Sequence, residues 1–422
     1  MCRTSDCEED RMKEKVSITK IENCDFESAV RQAVELAGGL SDLVKPDSRV
    51  VVKPNLARMA TSGSGIVTDA RATEAVAKLV LDLHPASVVI AEGTAVGYDD
   101  GCLSTEEIMD LSGTREIARR LGIPCVNLNA DEPVAVEVPE PRAMDRILIA
   151  KTILESDVIV SVPVLKTHAR ANATISLKNM WGTLVGTEKR AGHMLGINNA
   201  LVDLFSVLRP SYTVIDASVA MEGLWRSPED AHMMGLILAG RDALAADLVG
   251  CALMGIHPYS VFYLRELTSQ PGEVHGLADI DIVGESLEAH AREFRPAFDG
   301  FMERYPDVRL VTGSSFCGGC VAELVSAIRY MHDAGYGERM KNLTIVVGAP
   351  EEVEVVGEVV VIGECSDAYS ECGAVAASCP PAEDDVLSAI CEAIGADVSL
   401  VMAVRDENRR AMWDSTSHLV TG

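Results

Sequence analysis

Aromatic residues are scarce in this chain, at 4% of 422 residues. Val, Ala, Leu and Ile supply the apolar bulk instead, a composition that suits parallel strands buried on both faces better than an antiparallel sandwich. Long hydrophobic runs are missing too: none approaches the roughly twenty residues that span a bilayer. The opening residues, Met1-Cys2-Arg3-Thr4-Ser5-Asp6-Cys7-Glu8-Glu9-Asp10, lack the basic and apolar regions of a signal peptide. The expectation is a soluble, cytoplasmic protein with no membrane partner. Basic residues are outnumbered, 37 Lys and Arg against 64 Asp and Glu, for a net charge of -27. That charge repels phosphate backbones and anionic lipid, which argues against nucleic acid or a membrane surface as partner. Also missing are the Gly-Lys-Ser/Thr ending of a P-loop, a clean G-x-G-x-x-G, internal repeats and low-complexity tracts.

What is present is an apolar content of 48%, ample for a packed interior. A chain of this length exceeds what one core usually serves, so two domains are expected. Residues 1–15 are charged and aperiodic and read as a disordered head. Thereafter β-rich runs alternate with helical periodicity. Strands are expected at Val16–Ile21, Arg49–Lys53, Ser87–Ala91, Pro124–Leu128, Asp157–Val162, Tyr212–Ile215 and Gly235–Ala239. Helices are expected at Phe26–Leu43, Ala70–Leu83, Ser104–Leu121 and Asp242–Met254, the last capped by Asp242. Repeated β-loop-α units predict an α/β fold with a mostly parallel, doubly wound sheet over residues 16–300. The pattern changes near residue 300. A smaller C-terminal α/β domain that carries cysteines, residues 301–422, then holds a helix at Val321–Ala334, strands at Leu343–Val347 and Glu358–Ile362, and a helix at Asp384–Ile394.

In doubly wound sheets ligands gather at the carboxyl ends of strands, where loops and helix N-termini converge. After the first valine-rich strand come Lys53-Pro54-Asn55 and then a loop with Ser64, Gly65 and Thr68. Such a loop can offer backbone N–H groups to a phosphate or carboxylate, with Lys53 adding charge, or it can be a flexible turn capped by Thr68 or Asp69. The strand Val158–Val162 runs into Lys166-Thr167-His168 and then Lys178-Asn179. Two lysines, a histidine and an asparagine beside a buried strand favour recognition of an anion, in a chain so rich in carboxylates. Lys166 and His168 could also move protons if burial tunes them. The plainer reading of His168 is a loop residue or helix cap, and His193 carries less weight still. Glu92, Asp216 and Glu222 follow strands and could balance the lysines or hold a metal, though turn or capping roles suit such positions equally.

Twelve cysteines in a cytosolic chain read more readily as thiols and metal ligands than as a disulfide framework. Cys317-Gly318-Gly319-Cys320, Cys365 and Cys379-Pro380 form a set suited to a 4Fe-4S cluster, because a C-x-x-C turn lets two thiolates face inward and two distant cysteines complete the tetrahedron. Zinc could use the same four thiolates, a redox dithiol only Cys317 and Cys320, and Cys372 could replace Cys365 or Cys379. Cys24, Cys102, Cys125, Cys251 and Cys391 lie in apolar or helical contexts and read as core residues.

Several of these segments together resemble the DUF362 family, a group of uncharacterised proteins often associated with iron-sulfur clusters. The likeness rests on Val51-Val52-Lys53-Pro54-Asn55-Leu56, Thr68-Asp69, Ala91-Glu92-Gly93, Pro163-Val164-Leu165-Lys166-Thr167-His168, Ser176-Leu177-Lys178-Asn179-Met180-Trp181-Gly182, Val214-Ile215-Asp216 and Asp242–Asp247. It covers roughly residues 16 to 270. The resemblance implies no defined activity. Many similar proteins carry repeated C-x-x-C-x-x-C runs that this chain lacks, so a cluster here must use the sparser set.

The leading expectation is an iron-sulfur oxidoreductase that exchanges single electrons with a small anionic substrate. Lys166, His168 and Lys178 would do the chemistry, while Lys53, Asn55, Ser64, Gly65, Thr68 and Asn179 would bind. A ferredoxin-like protein would be its electron partner. Two alternatives stay open: a non-redox lyase or isomerase of a carboxylate or phosphate compound, and a protein that carries metal to a partner.

Overall fold

The computed structural model describes residues 13–94, 105–186, 188–223, 228–297, 302–313, 316, 318–378 and 381–417. Its large sheet is built from β1 (Glu14–Lys20), β2 (Arg49–Pro54), β3 (Ser87–Glu92), β4 (Cys125–Asn127), β7 (Val158–Val162), β8 (Val164–His168), β9 (Asn172–Thr174), β10 (Tyr212–Met221), β11 (Ala231–Gly240) and β12 (Ile280–Gly284). A separate hairpin pairs β5 (Pro133–Glu137) with β6 (Arg146–Ala150). The strand order is β12-β1-β11-β10-β7-β2-β3-β4, and β8 joins through β10. Pairing is parallel from β10 through β7, β2 and β3 to β4, and antiparallel at β1·β11, β10·β11 and β8·β9.

Alternation along the central strands explains why both faces are covered. Val50 and Val52 of β2 and Val158, Val160 and Val162 of β7 pack into one core layer, with the helices Phe26–Leu36 and Ala70–Leu81. Val51 and Ile159 point the other way, into the layer formed with the helices Ile197–Val207 and Ala243–Leu253. This is the mostly parallel, doubly wound α/β sheet that the sequence predicts.

Four differences follow from local physics. Strand β1 starts at Glu14, inside the expected head, because Glu14 and Lys15 already pair with Ile280 and Asp281 of β12. The helix from Phe26 stops at Leu36, and Gly38 and Gly39 follow it at positive φ. The stretch expected as one helix from Ser104 to Leu121 is two, Thr105–Leu111 and Thr114–Leu121, broken where Gly113 takes φ 77°. Among the described residues no α-helix separates Ile215 from the next strand: β10 runs on to Met221 and pairs antiparallel with β11.

A second, wholly parallel sheet has the order β13 (Val308–Thr312), β14 (Leu343–Val347), β15 (Val359–Ile362) and β16 (Ala374–Ala376). The helices Gly318–Asp333 and Glu383–Ile394 pack on one face of it. The first of these reaches back to the large sheet's layer, where Glu323 approaches Gly196 at the start of the helix Ile197–Val207.

Candidate functional site

The carboxyl ends of β2, β3 and β7 lie side by side, which brings Lys53, Glu92 and the β7–β8 junction at Pro163 together. Past that junction β8 pairs with the far half of β10 and carries Lys166. The short helix Ser176–Asn179 is fixed at its start by Asp247, which accepts hydrogen bonds from Ser176 N at 2.7 Å and Leu177 N at 3.1 Å. Lys178 and Asn179 therefore arrive at the same strand ends on a capped turn.

These side chains form one buried polar network. Lys53, fully buried, is ion-paired with buried Glu92 through a short contact. Lys53 also donates to Asn179 Oδ1 at 3.3 Å, and Asn55 Nδ2 donates to the same oxygen at 3.1 Å. Asn179 Nδ2 returns two bonds, to Lys53 O and Ser161 Oγ. Lys166 Nζ donates to Asn55 Oδ1 and to the Ile66 carbonyl. Thr68 is structural here: its hydroxyl donates to Val162 O and accepts from Asn55 N, stitching the loop to β7.

Two glycines are needed by this packing. A Cβ on Gly182 would lie 2.6 Å from both Lys53 Nζ and Glu92 Oε2, and one on Gly93 would lie 2.7 Å from Lys189 Nζ. Ser64 and Gly65 belong to the fold of the loop. Ser64 Oγ accepts from Ile66 N, and Gly65, at φ 75°, sits so close to Met221 and the Val219 carbonyl that no side chain fits.

Lys189 is the site lysine that the sequence reading passed over. It lies on the helix Glu188–Leu195, is buried, and donates to the carbonyls of Gly93 and Thr94 and to Asn129 Oδ1. Burial pushes its pKa down to about 7 and that of Lys178 down to about 8. Burial also lowers Lys53 against the opposing pull of Glu92, and it holds Lys166 well below the ordinary lysine value, with Lys178 and Arg58 adding to the effect. Lys178 differs from the other three: among the described residues its Nζ has neither a hydrogen-bond acceptor nor an ion-pair partner.

His168 and His193 face this lysine from β8 and from the helix Glu188–Leu195, with ring centroids 6.5 Å apart. Burial first and Lys178 second depress both, His168 well below the ordinary value and His193 to about 3. Trp181 meets the His193 ring edge-on at 5.6 Å, and its buried Nε1 has no acceptor among the described residues. Asp216 lies on the other side of the Thr68 loop, accepts from Asp69 N and from Ser218, and is raised by burial to about 6. Glu222 pairs with His232.

Residues 50–252 match the domain of unknown function DUF362, the interval that supplies Lys53, Glu92, Lys166, Lys178 and Lys189. Residues 50–252 are a DUF362 domain. The chain is also similar to the thylakoid-associated protein sll1697 of Synechocystis sp., 25% identical over 240 residues, 56% of this chain and 71% of that protein. Among solved structures, the lactate racemase apoprotein from Thermoanaerobacterium thermosaccharolyticum aligns with 86% of this chain and 72% of its own, at 14% identity and a TM-score of 0.39. A Thermotoga maritima protein aligns with 52% of this chain and 55% of its own, at 14% identity and a TM-score of 0.33. The DUF362 domain thus accounts for the lysine network and ends ahead of the small parallel sheet.

The four candidate ligand cysteines lie beyond residues 50–252. Cys317 and Cys379 fall outside the described residues. Cys320, buried at the start of the helix Gly318–Asp333, and Cys365, half-buried just after β15, converge on Gly363. A Cβ on Gly363 would stand 3.4 Å from Cys365 Sγ and 3.5 Å from Cys320 Sγ, so the two sulfurs are no farther apart than those distances combined. Gly363 takes φ 82°, a conformation that L side chains rarely adopt. Cys372 is exposed at the end of the 3-10 segment Glu364–Cys372. Cys251 and Cys391 are buried as expected, and Cys125 is half-buried. Cys24 is exposed, because it ends the turn Glu22–Cys24 ahead of the first helix rather than facing the core. Among the described residues no cluster of three or more His, Cys, Asp or Glu is disposed to hold a metal. A groove of about 660 Å³ between β1, β12 and the first helix, lined by Lys20, Glu22, Asp25 and Glu285, includes none of the candidate site residues.

Proposed function

We propose that the DUF362 domain binds a small anionic compound, a carboxylate or phosphate, at its strand-end lysines, with Lys178 as the group that meets it. One observation carries this reading: Lys53, Lys166 and Lys189 are hydrogen-bonded to internal oxygens, whereas Lys178 holds a buried charge without an acceptor among the described residues. A buried cation without a counter-charge is costly, and an anionic ligand removes that cost. In a chain with 64 acidic residues, a strand-end site with four lysines and one carboxylate in its network also attracts anions locally.

We further infer that Cys317, Cys320, Cys365 and Cys379 hold an iron-sulfur cluster in a cytoplasmic protein, where thiols stay reduced. The support is the convergence of Cys320 and Cys365 on Gly363. Such a cluster would supply single electrons, received from a ferredoxin-like partner, to chemistry at the lysine site. The contact of Glu323 with Gly196 joins the helix of Cys320 to the segment that bears Lys189 and His193.

Calorimetric titration with inorganic phosphate, together with iron, sulfide and zinc analysis of anaerobically purified protein, tests both parts. Phosphate binding that Lys178→Gln weakens about 10- to 100-fold supports the anion site, given the worth of a charged hydrogen bond. Binding unaffected by that substitution overturns it. Brown protein that dithionite bleaches supports the cluster, and colourless protein with one zinc replaces it with a structural metal.

A further inference from the structure

The two histidines beside Lys178 are hydrogen-bonded in opposite senses. His168 Nδ1 accepts from two backbone N–H groups, those of Arg170 and Ala171, each at 3.1 Å. Its lone pair is therefore committed at Nδ1, and its proton sits on Nε2. His193 Nδ1 lies 2.6 Å from the Lys189 carbonyl oxygen, which can only accept. His193 therefore carries its proton on Nδ1, and its lone pair is on Nε2.

The consequences of this difference are chemical. Protonating His168 at Nδ1 would break two backbone hydrogen bonds, so His168 is held as a neutral imidazole with its proton on Nε2, the tautomer that can act as an electrophile toward a carbonyl. His193 can accept a proton at Nε2 while its Nδ1–H bond to the Lys189 carbonyl persists and supports the imidazolium. Both rings share Lys178 as their strongest charged neighbour, so an anion that neutralises Lys178 relieves both. Trp181, edge-on to the His193 ring, has a buried N–H without an acceptor among the described residues.

We propose that His168 and His193 divide an enolisation between them: His193 is the general base, and His168 is a neutral hydrogen-bond donor to the oxygen where charge develops. This rests on anion binding at Lys178. The C–H bond next to a carboxylate of the bound compound breaks, and its proton goes to His193 Nε2. The electron pair moves onto the carboxylate oxygens, held by the Lys178 ammonium and the His168 N–H. Return of the proton from His193 completes an isomerisation or a solvent exchange with no net oxidation. The substrate class is a small carboxylic acid with an acidic α-hydrogen.

Nitrogen-15 NMR of the full chain, with His168→Gln and His193→Gln for assignment, reads the tautomers directly. The expected result is Nε2–H on His168 and Nδ1–H on His193. Saturating inorganic phosphate should raise the pKa of His193 and leave His168 neutral. Deuterium uptake at C2 of malonate in D2O supplies the second readout. His193→Gln should slow it about 100-fold or more, within the range for a positioned base, while phosphate still binds. Identical tautomers, a protonated His168, a His193 pKa that phosphate leaves unchanged, or malonate exchange unchanged by His193→Gln, including exchange no faster than in buffer, each overturns the assignment. If calorimetry shows no phosphate binding at all, it is the anion site that fails. Binding without these histidine responses defeats only the division of roles.

Discussion

Lys166 donates to the side chain of Asn55 over 2.8 Å, although the two residues are 111 positions apart in the chain. Through Asn55 and Asn179 the same network continues to Lys53 and Glu92. Two of its lysines thus hold strand ends together and set the architecture.

Substituting Lys53 should therefore damage the fold before it damages binding. Lys53→Met leaves Glu92 buried without its cation, a loss of about 3–5 kcal/mol for a broken buried pair. Urea unfolding should report it, and Lys178→Met, which breaks no hydrogen bond or ion pair among the described residues, should show no comparable loss.

The depressed lysines give stability a particular pH dependence. A lysine whose pKa falls on folding binds its proton more weakly in the native chain than in the unfolded one. Stability therefore rises with pH between the folded value and the ordinary range near 10.4. For Lys178 that window opens at about 8 and for Lys189 at about 7. Unfolding midpoints of wild type relative to Lys178→Met should climb from pH 8 to 10, whereas phosphate affinity should fall over the same interval as the ammonium is lost.

Asp216 works in the opposite sense. Its folded pKa is raised to about 6, so the native chain holds that proton more tightly than the unfolded one. The stability it contributes is complete below the ordinary carboxylate range near 3.9 and is lost as pH rises through 6. Asp216→Asn should remove this slope, measured as the difference in unfolding midpoint from wild type between pH 4 and 6.

Gly363 offers a test of the cysteine site that spares the thiols. Gly363→Ala places a methyl in front of Cys320 and Cys365 at a positive φ. Iron and sulfide per chain should drop well below wild type. Gly395→Ala, also at positive φ but with open space around it, provides the control for backbone strain alone.

The parts of this arrangement that the sequence disclosed are those written in strand periodicity. Lys53, Lys166 and Glu92 stand at or near the ends of valine-rich runs, and parallel strands share one carboxyl edge, so their meeting follows from topology. Lys189 is not singled out by the sequence, and His193 carries little weight there, because both sit on a short helix with no preceding strand to orient it. The tautomers of the histidines depend on backbone N–H and carbonyl positions that no spacing rule encodes. The continuation of β10 into β11 was hidden because Asp216 and Ser218 read as the end of a strand. Their polar atoms are instead satisfied by Asp69 N and by each other within the sheet.

The absence of a side chain at Gly182 carries one more implication. With its α-carbon seated against the Lys53–Glu92 pair, the turn after Asn179 works like a wedge between the tips of two neighbouring strands. A methyl group there would press on both partners of the pair at once, so a single change at Gly182 disturbs the tips of β2 and β3 together.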